Sequence, residues 1–125
     1  VVAVGQTQMI IWAARKPFLD KNKAAMIDFF EDAMIAMHWF EDEANHAATV
    51  KLVSDFTKIP PAVFDSWIFT KKDYYRSPKL IPNLAALQKN IDLQKDLGLL
   101  KSKIDIKKFS DLSFAEAAGK RMMAH

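Results

Sequence analysis

With 125 residues and a mass of 14.2 kDa, the chain has the size of one compact domain. Half of its residues are hydrophobic and 26% are charged, a globular composition that excludes disordered and collagen-like classes. It contains no cysteine, which excludes disulfide scaffolds, thiolate–zinc sites, iron–sulfur clusters and thiol catalysis, and no apolar run approaches the roughly 20 residues of a membrane-spanning helix. The net charge of +3 is unevenly spread. Six carboxylates and no Lys or Arg lie between Ala24 and Val50, whereas twelve basic residues face six acidic ones from Lys71 to Arg121. The cations interleave with acids, as in Lys95-Asp96 and Lys103-Ile104-Asp105, so a polarised solvated surface is a plainer account than a nucleic-acid face. The first residue is Val1 and no secretory signal pattern precedes it, as expected of a processed, trimmed or partial chain.

Val1 to Ala14 is the one strongly β-like stretch. Its continuous apolar run Met9-Ile10-Ile11-Trp12-Ala13-Ala14 predicts a strand buried on both faces, although no later segment has the character of a sheet partner. Arg15-Lys16-Pro17 closes it. Asn22 is placed to cap a helix from Lys23 to about Phe40, with Ile27, Phe30, Met34 and Met37 on one face and further apolar residues widening it. A second helix is predicted from Glu43-Ala44 to Phe56. A third, short one starts at Ile59-Pro60-Pro61 and runs through Trp67. Residues 69–82 read as a loop rich in lysine, tyrosine and proline. A fourth helix spans Asn83 to Leu97, with Gly98 as its left-handed terminator and Leu99 positioned for the accompanying apolar contact. After a connector over Lys101 to Asp111, the capping-box pattern Ser113-Phe114-Ala115-Glu116 opens a last short helix.

The candidate chemistry is sparse. Glu43-Ala44-Asn45-His46 is a Glu-x-x-His motif near His38 and Glu41. A di-iron site needs two such motifs and further glutamates, so a solvated helix junction is the better account and no metal or cofactor is expected. Lys71-Lys72-Asp73-Tyr74-Tyr75-Arg76 mixes cations with aromatic rings, the chemistry of single-strand binding, but equally that of a packed loop anchor. The three glycines are isolated, so there is no phosphate-cradling loop, and no serine has a base partner. These residues by themselves carry no catalytic constellation.

The order of pieces resembles the C-terminal part of substrate-binding proteins of the nitrate/sulfonate/taurine class of ABC importers. The resemblance runs through "AARKPFLDKN", "AAMIDFFEDAMIAMHWF" and "FTKKDYYR". It is most specific in "LQKNIDLQKDLGLLKSKIDIKKFSDLS", and covers about Gly5 to Arg121. It implies a type II periplasmic-binding-protein fold, two α/β lobes closing on a cleft, of which this chain supplies the hinge-type strand (residues 1–14) and the mainly helical C-terminal segment (residues 15–125). The implied function is capture of a small anionic solute for delivery to permease subunits, in the periplasm or outside the cell. In such a protein the polar break Gln6, Thr7 and Gln8 beside the hinge strand is the local candidate for ligand contact, although these residues read equally well as a turn leading into the strand. The basic loop from Lys71 to Lys79 is the candidate permease contact. The alternative is a free-standing helical interaction or nucleic-acid-binding module. Standing alone, the chain is expected to form a homodimer through its N-terminal strands.

Overall fold

A computed structural model describes residue 8 and residues 10–123. Five α-helices carry the described chain: α1 (Lys16–Lys21), α2 (Lys23–Glu41), α3 (His46–Thr57), α4 (Leu84–Asp96) and α5 (Ser113–Met122). The mainly helical class is as the periodicity indicates. No strand occurs among the described residues.

The predicted N-terminal strand is therefore corrected where it can be followed. Val1 to Thr7 and Met9 lie outside the described residues, while Ile10 to Ala14 form no regular element. The physical reason is the lack of a second β-type segment, which leaves the run no ladder to join. Instead its aromatic residue packs on a helix, the Trp12 ring lying 4.4 Å from Phe29 and 5.6 Å from Phe30, both on α2.

Helix α1 is not predicted from the sequence pattern. Pro17 fits its first turn because the missing N–H is not needed there, and the exposed Lys16–Asp20 pair spans one turn at 2.8 Å. Asn22 does not cap α2 with its side chain; its amide donates to the Phe18 carbonyl (2.8 Å) and so closes α1. Helices α2 and α5 form the main core. Met34, Ala115 and Ala118 are buried, and Ile27, Phe30, Leu80, Ile81 and Met122 pack around them. The two alanines let the helices approach closely. At the rim Arg121 donates to Asp28 (2.6 Å) and Glu31 (3.3 Å).

A second core joins α3 to the segment after it: Val50, Phe64 and Ile68 are buried, with Val53 and Phe69 against them. The predicted third helix shortens to one 3-10 turn, Pro61–Val63, followed by further turns to Phe69. Helix α4 starts at Asn83, whose side chain accepts the Ala86 N–H (3.0 Å). It ends as expected: Gly98 has φ +76°, and the Gly98 and Leu99 amides donate to the carbonyls of Lys95 (3.0 Å) and Gln94 (2.9 Å). The expected apolar contact is not the means, since Leu99 stays exposed. The following connector is held by Gln88, which donates to the Ile104 carbonyl and accepts the Ile106 N–H, both at 2.9 Å. Helix α5 begins at Ser113, but the capping box does not form. Asp111 accepts from both the Ser113 hydroxyl and amide, and these two bonds, with Lys16 and Lys23 nearby, hold its carboxyl below the ordinary aspartate range against the opposing effect of burial.

Candidate functional site

The most developed polar construction lies where the C-terminal end of α2 meets the loop over residues 69–78. At its centre Asp73, with a side chain only 3% exposed, gathers three donors. The Phe69 amide (2.8 Å) and Arg76 Nη1 (2.9 Å) reach one carboxylate oxygen, and the Tyr74 amide (2.8 Å) reaches the other. Burial pushes the Asp73 carboxyl up, but the Phe69 amide, the Arg76 guanidinium and the Tyr74 amide together hold it below the ordinary range. The carboxylate thus fixes a sharp loop, in which Phe69 itself adopts φ +51°.

Arg76 then serves as the middle of a stack. Its guanidinium carbon sits 4.3 Å from the centre of the Phe69 ring and 3.8 Å from that of Tyr74. Phe69 in turn lies almost parallel to Phe40 of α2, with centroids 5.0 Å apart. Four tiers, Phe40–Phe69–Arg76–Tyr74, therefore tie the loop to the helix. Two histidines add further ties: His38 Nε2 donates to the Pro78 carbonyl (3.2 Å) at this joint, and His46 Nε2, at the start of α3, donates to that of Asp65 (2.9 Å). Both imidazoles act as struts between elements. The Glu43–His46 motif does not assemble a metal site, and no group of three or more His, Cys, Asp or Glu suited to a metal ion occurs among the described residues.

Between the helix end and the loop runs an open groove of about 680 Å³. Glu41, Asp42 and Glu43 form one wall, and Lys71, Tyr74 and Tyr75 form the other. Asp42 is engaged with the Ala44 amide (2.9 Å), whereas Glu41 and Glu43 take part in no ion pair among the described residues. The KKDYYR motif marks this loop in the sequence. The part played by Asp73 and the acid wall opposite carry no such signal, because Glu41 to Glu43 are about thirty residues away along the chain.

Of the three candidate ligand residues, Gln6 and Thr7 lie outside the described residues. Gln8 is engaged with the chain itself: its side-chain amide donates to the Ile10 carbonyl (2.7 Å) and accepts the Asn83 N–H (2.8 Å), and its backbone carbonyl accepts from Asn90 (3.1 Å). It thereby fastens the N-terminal segment to the start of α4.

No family model, no curated protein and no solved structure matches this chain. No helix among the described residues is long and apolar enough to cross a membrane.

Proposed function

We propose that this chain is the helical C-terminal segment of the solute-binding component of an ABC importer, serving the capture of a small anionic solute and its delivery to the permease, in the periplasm or outside the cell. The observation that supports this reading is uncovered surface. Large apolar side chains stand exposed on several helices: Ile35 and Trp39 on α2, Leu52 and Phe56 on α3, and Leu93 and Leu97 at the end of α4. A segment whose helices finish a larger α/β fold has such faces, because the upstream lobe covers them. The likeness of the sequence to the nitrate/sulfonate/taurine class supplies the kind of fold. In that setting the segment has no catalytic role. A contact between Gln8 and solute requires its amide to exchange partners as the hinge moves.

The nucleic-acid alternative loses support at the loop that suggested it. Arg76 is neutralised by Asp73, and the wall facing Lys71 carries three carboxylates, an arrangement that repels phosphate. The test is the gene and its product. A longer product with an upstream lobe and export signal, stabilised against heat by one anion from a panel of nitrate, sulfonates, taurine and aromatic acids, is the expected result. An initiator Met directly before Val1, or a long product indifferent to the whole panel, refutes it.

A further inference from the structure

The connector between α4 and α5 has no part in the importer reading, and its chemistry is independent of it. From Leu99 to Phe109 it carries four lysines, Lys101, Lys103, Lys107 and Lys108, against the single acid Asp105, so the net charge of this span is +3, as large as that of the whole chain. All four lysines are exposed, and none takes part in an ion pair among the described residues. Asp105 is engaged by the backbone, its carboxylate accepting the Lys107 amide (3.1 Å). The large apolar residues that bracket the lysines are exposed as well, Leu99 by 71% and Phe109 by 76%. A left-handed helix end ordinarily folds such a residue as Leu99 back onto the helix, and here that contact is not made. The backbone between the two is held in place. Gln88 of α4 clamps it at Ile104 and Ile106, and Lys103 and Lys107 both line the groove beside that helix.

We propose that this connector docks on the surface of an anionic lipid bilayer, with Leu99 and Phe109 entering the boundary between headgroups and acyl chains and the lysines meeting the lipid phosphates. Charge complementarity sets the sign of the partner, since four unpaired cations attract a negative surface. The exposed apolar residues set its kind, because a bilayer offers hydrocarbon directly beneath its phosphates and a nucleic-acid backbone does not. Lysine suits that boundary, as its aliphatic stem lies along the apolar layer while the ammonium stays at headgroup level. The contact is peripheral: no helix among the described residues is long and apolar enough to cross a membrane.

The test is flotation of the chain with vesicles of phosphatidylcholine alone and with vesicles of phosphatidylcholine and phosphatidylglycerol in equal parts. The chain is expected to float with the anionic vesicles and not with the neutral ones, and added salt should release it. A lysine beside an anionic surface is worth about fivefold in partitioning, so Lys103→Gln with Lys107→Gln should weaken binding about 25-fold. Leu99→Ser with Phe109→Ser should weaken it about tenfold. All four side chains are exposed, and unchanged circular dichroism shows that the variants keep the fold. No flotation with anionic vesicles, equal flotation with neutral ones, or undiminished flotation in either double variant overturns the proposal. Capture of a single-stranded oligonucleotide or an acidic peptide without flotation overturns it too, and reassigns the surface to that partner. None of these results touches the importer reading, which the anion panel tests on the longer product.

Discussion

Replacing Asp73 with alanine removes an acceptor that three donors share, and leaves the Arg76 guanidinium between its rings without a counter-charge. The Asp73 and Arg76 side chains are only 3% and 14% exposed, so the pair is screened far less than a surface ion pair. Removing one member of a buried pair costs about 3–5 kcal/mol in general. Here the loop lies at the surface and water reaches the freed Phe69 and Tyr74 amides once it opens, which places the expected cost near the lower end, about 3 kcal/mol. Asp73→Asn keeps one carbonyl acceptor and loses the charge, for an expected cost of about 1.5–2 kcal/mol. Urea unfolding followed by circular dichroism and tryptophan fluorescence measures both values. Amide exchange at Phe69 and Tyr74 supplies the local readout and should accelerate about 100-fold in the alanine variant. A loss below about 0.5 kcal/mol, or unchanged exchange at these two amides, refutes the assignment of Asp73 as the residue that fixes the loop.

Acid should act through the same carboxylate. Its folded-state pKa is depressed, so its contribution is complete above the ordinary aspartate value of about 3.9 and is lost as pH falls through the lower folded value. Exchange at Phe69 and Tyr74, corrected for its intrinsic pH dependence, should therefore be flat above about pH 5 and accelerate below about pH 4, and Asp73→Asn should abolish that acid limb. Met34→Ala, which empties the centre of the α2–α5 core, should cost about 2–4 kcal/mol in the same urea assay, and a loss under about 1 kcal/mol would mean the two helices are not held there. Gly98→Ala meets nothing within 4 Å, so only its φ of +76° opposes the substitution; about 1 kcal/mol is expected in urea unfolding, and Gly98→Asn should cost less. On the importer proposal, Lys71→Glu with Lys72→Glu in the longer product should lower uptake while leaving solute affinity intact, and unchanged uptake at physiological salt dismisses the loop as a permease contact.

Most of the helices are legible in the amino-acid sequence. Spacing at three and four residues places α2, α3 and α4, and Gly98 marks the end of α4 because only a residue free of a Cβ adopts that backbone cheaply. Helix ends are less legible: Asn22 and Ser113 carry capping side chains, yet Asn22 bonds backward to Phe18 and Asp111 takes the place of the Ser113 box. Both are choices among neighbouring donors that depend on where the chain arrives. The apolar run at Met9 to Trp12 shows the limit most plainly. Its composition suits a strand, but a strand exists only with a partner edge, and Trp12 instead meets Phe29 and Phe30 on a helix. The same holds at the candidate site. The letters of KKDYYR announce cations and rings, whereas the burial of Asp73, the Arg76 sandwich and the facing carboxylates Glu41 and Glu43 arise from bringing residues about thirty apart to one joint. Local pattern sets which backbone each segment prefers; only the packed chain decides which side chains meet and which charges remain uncompensated, because those depend on distances through space.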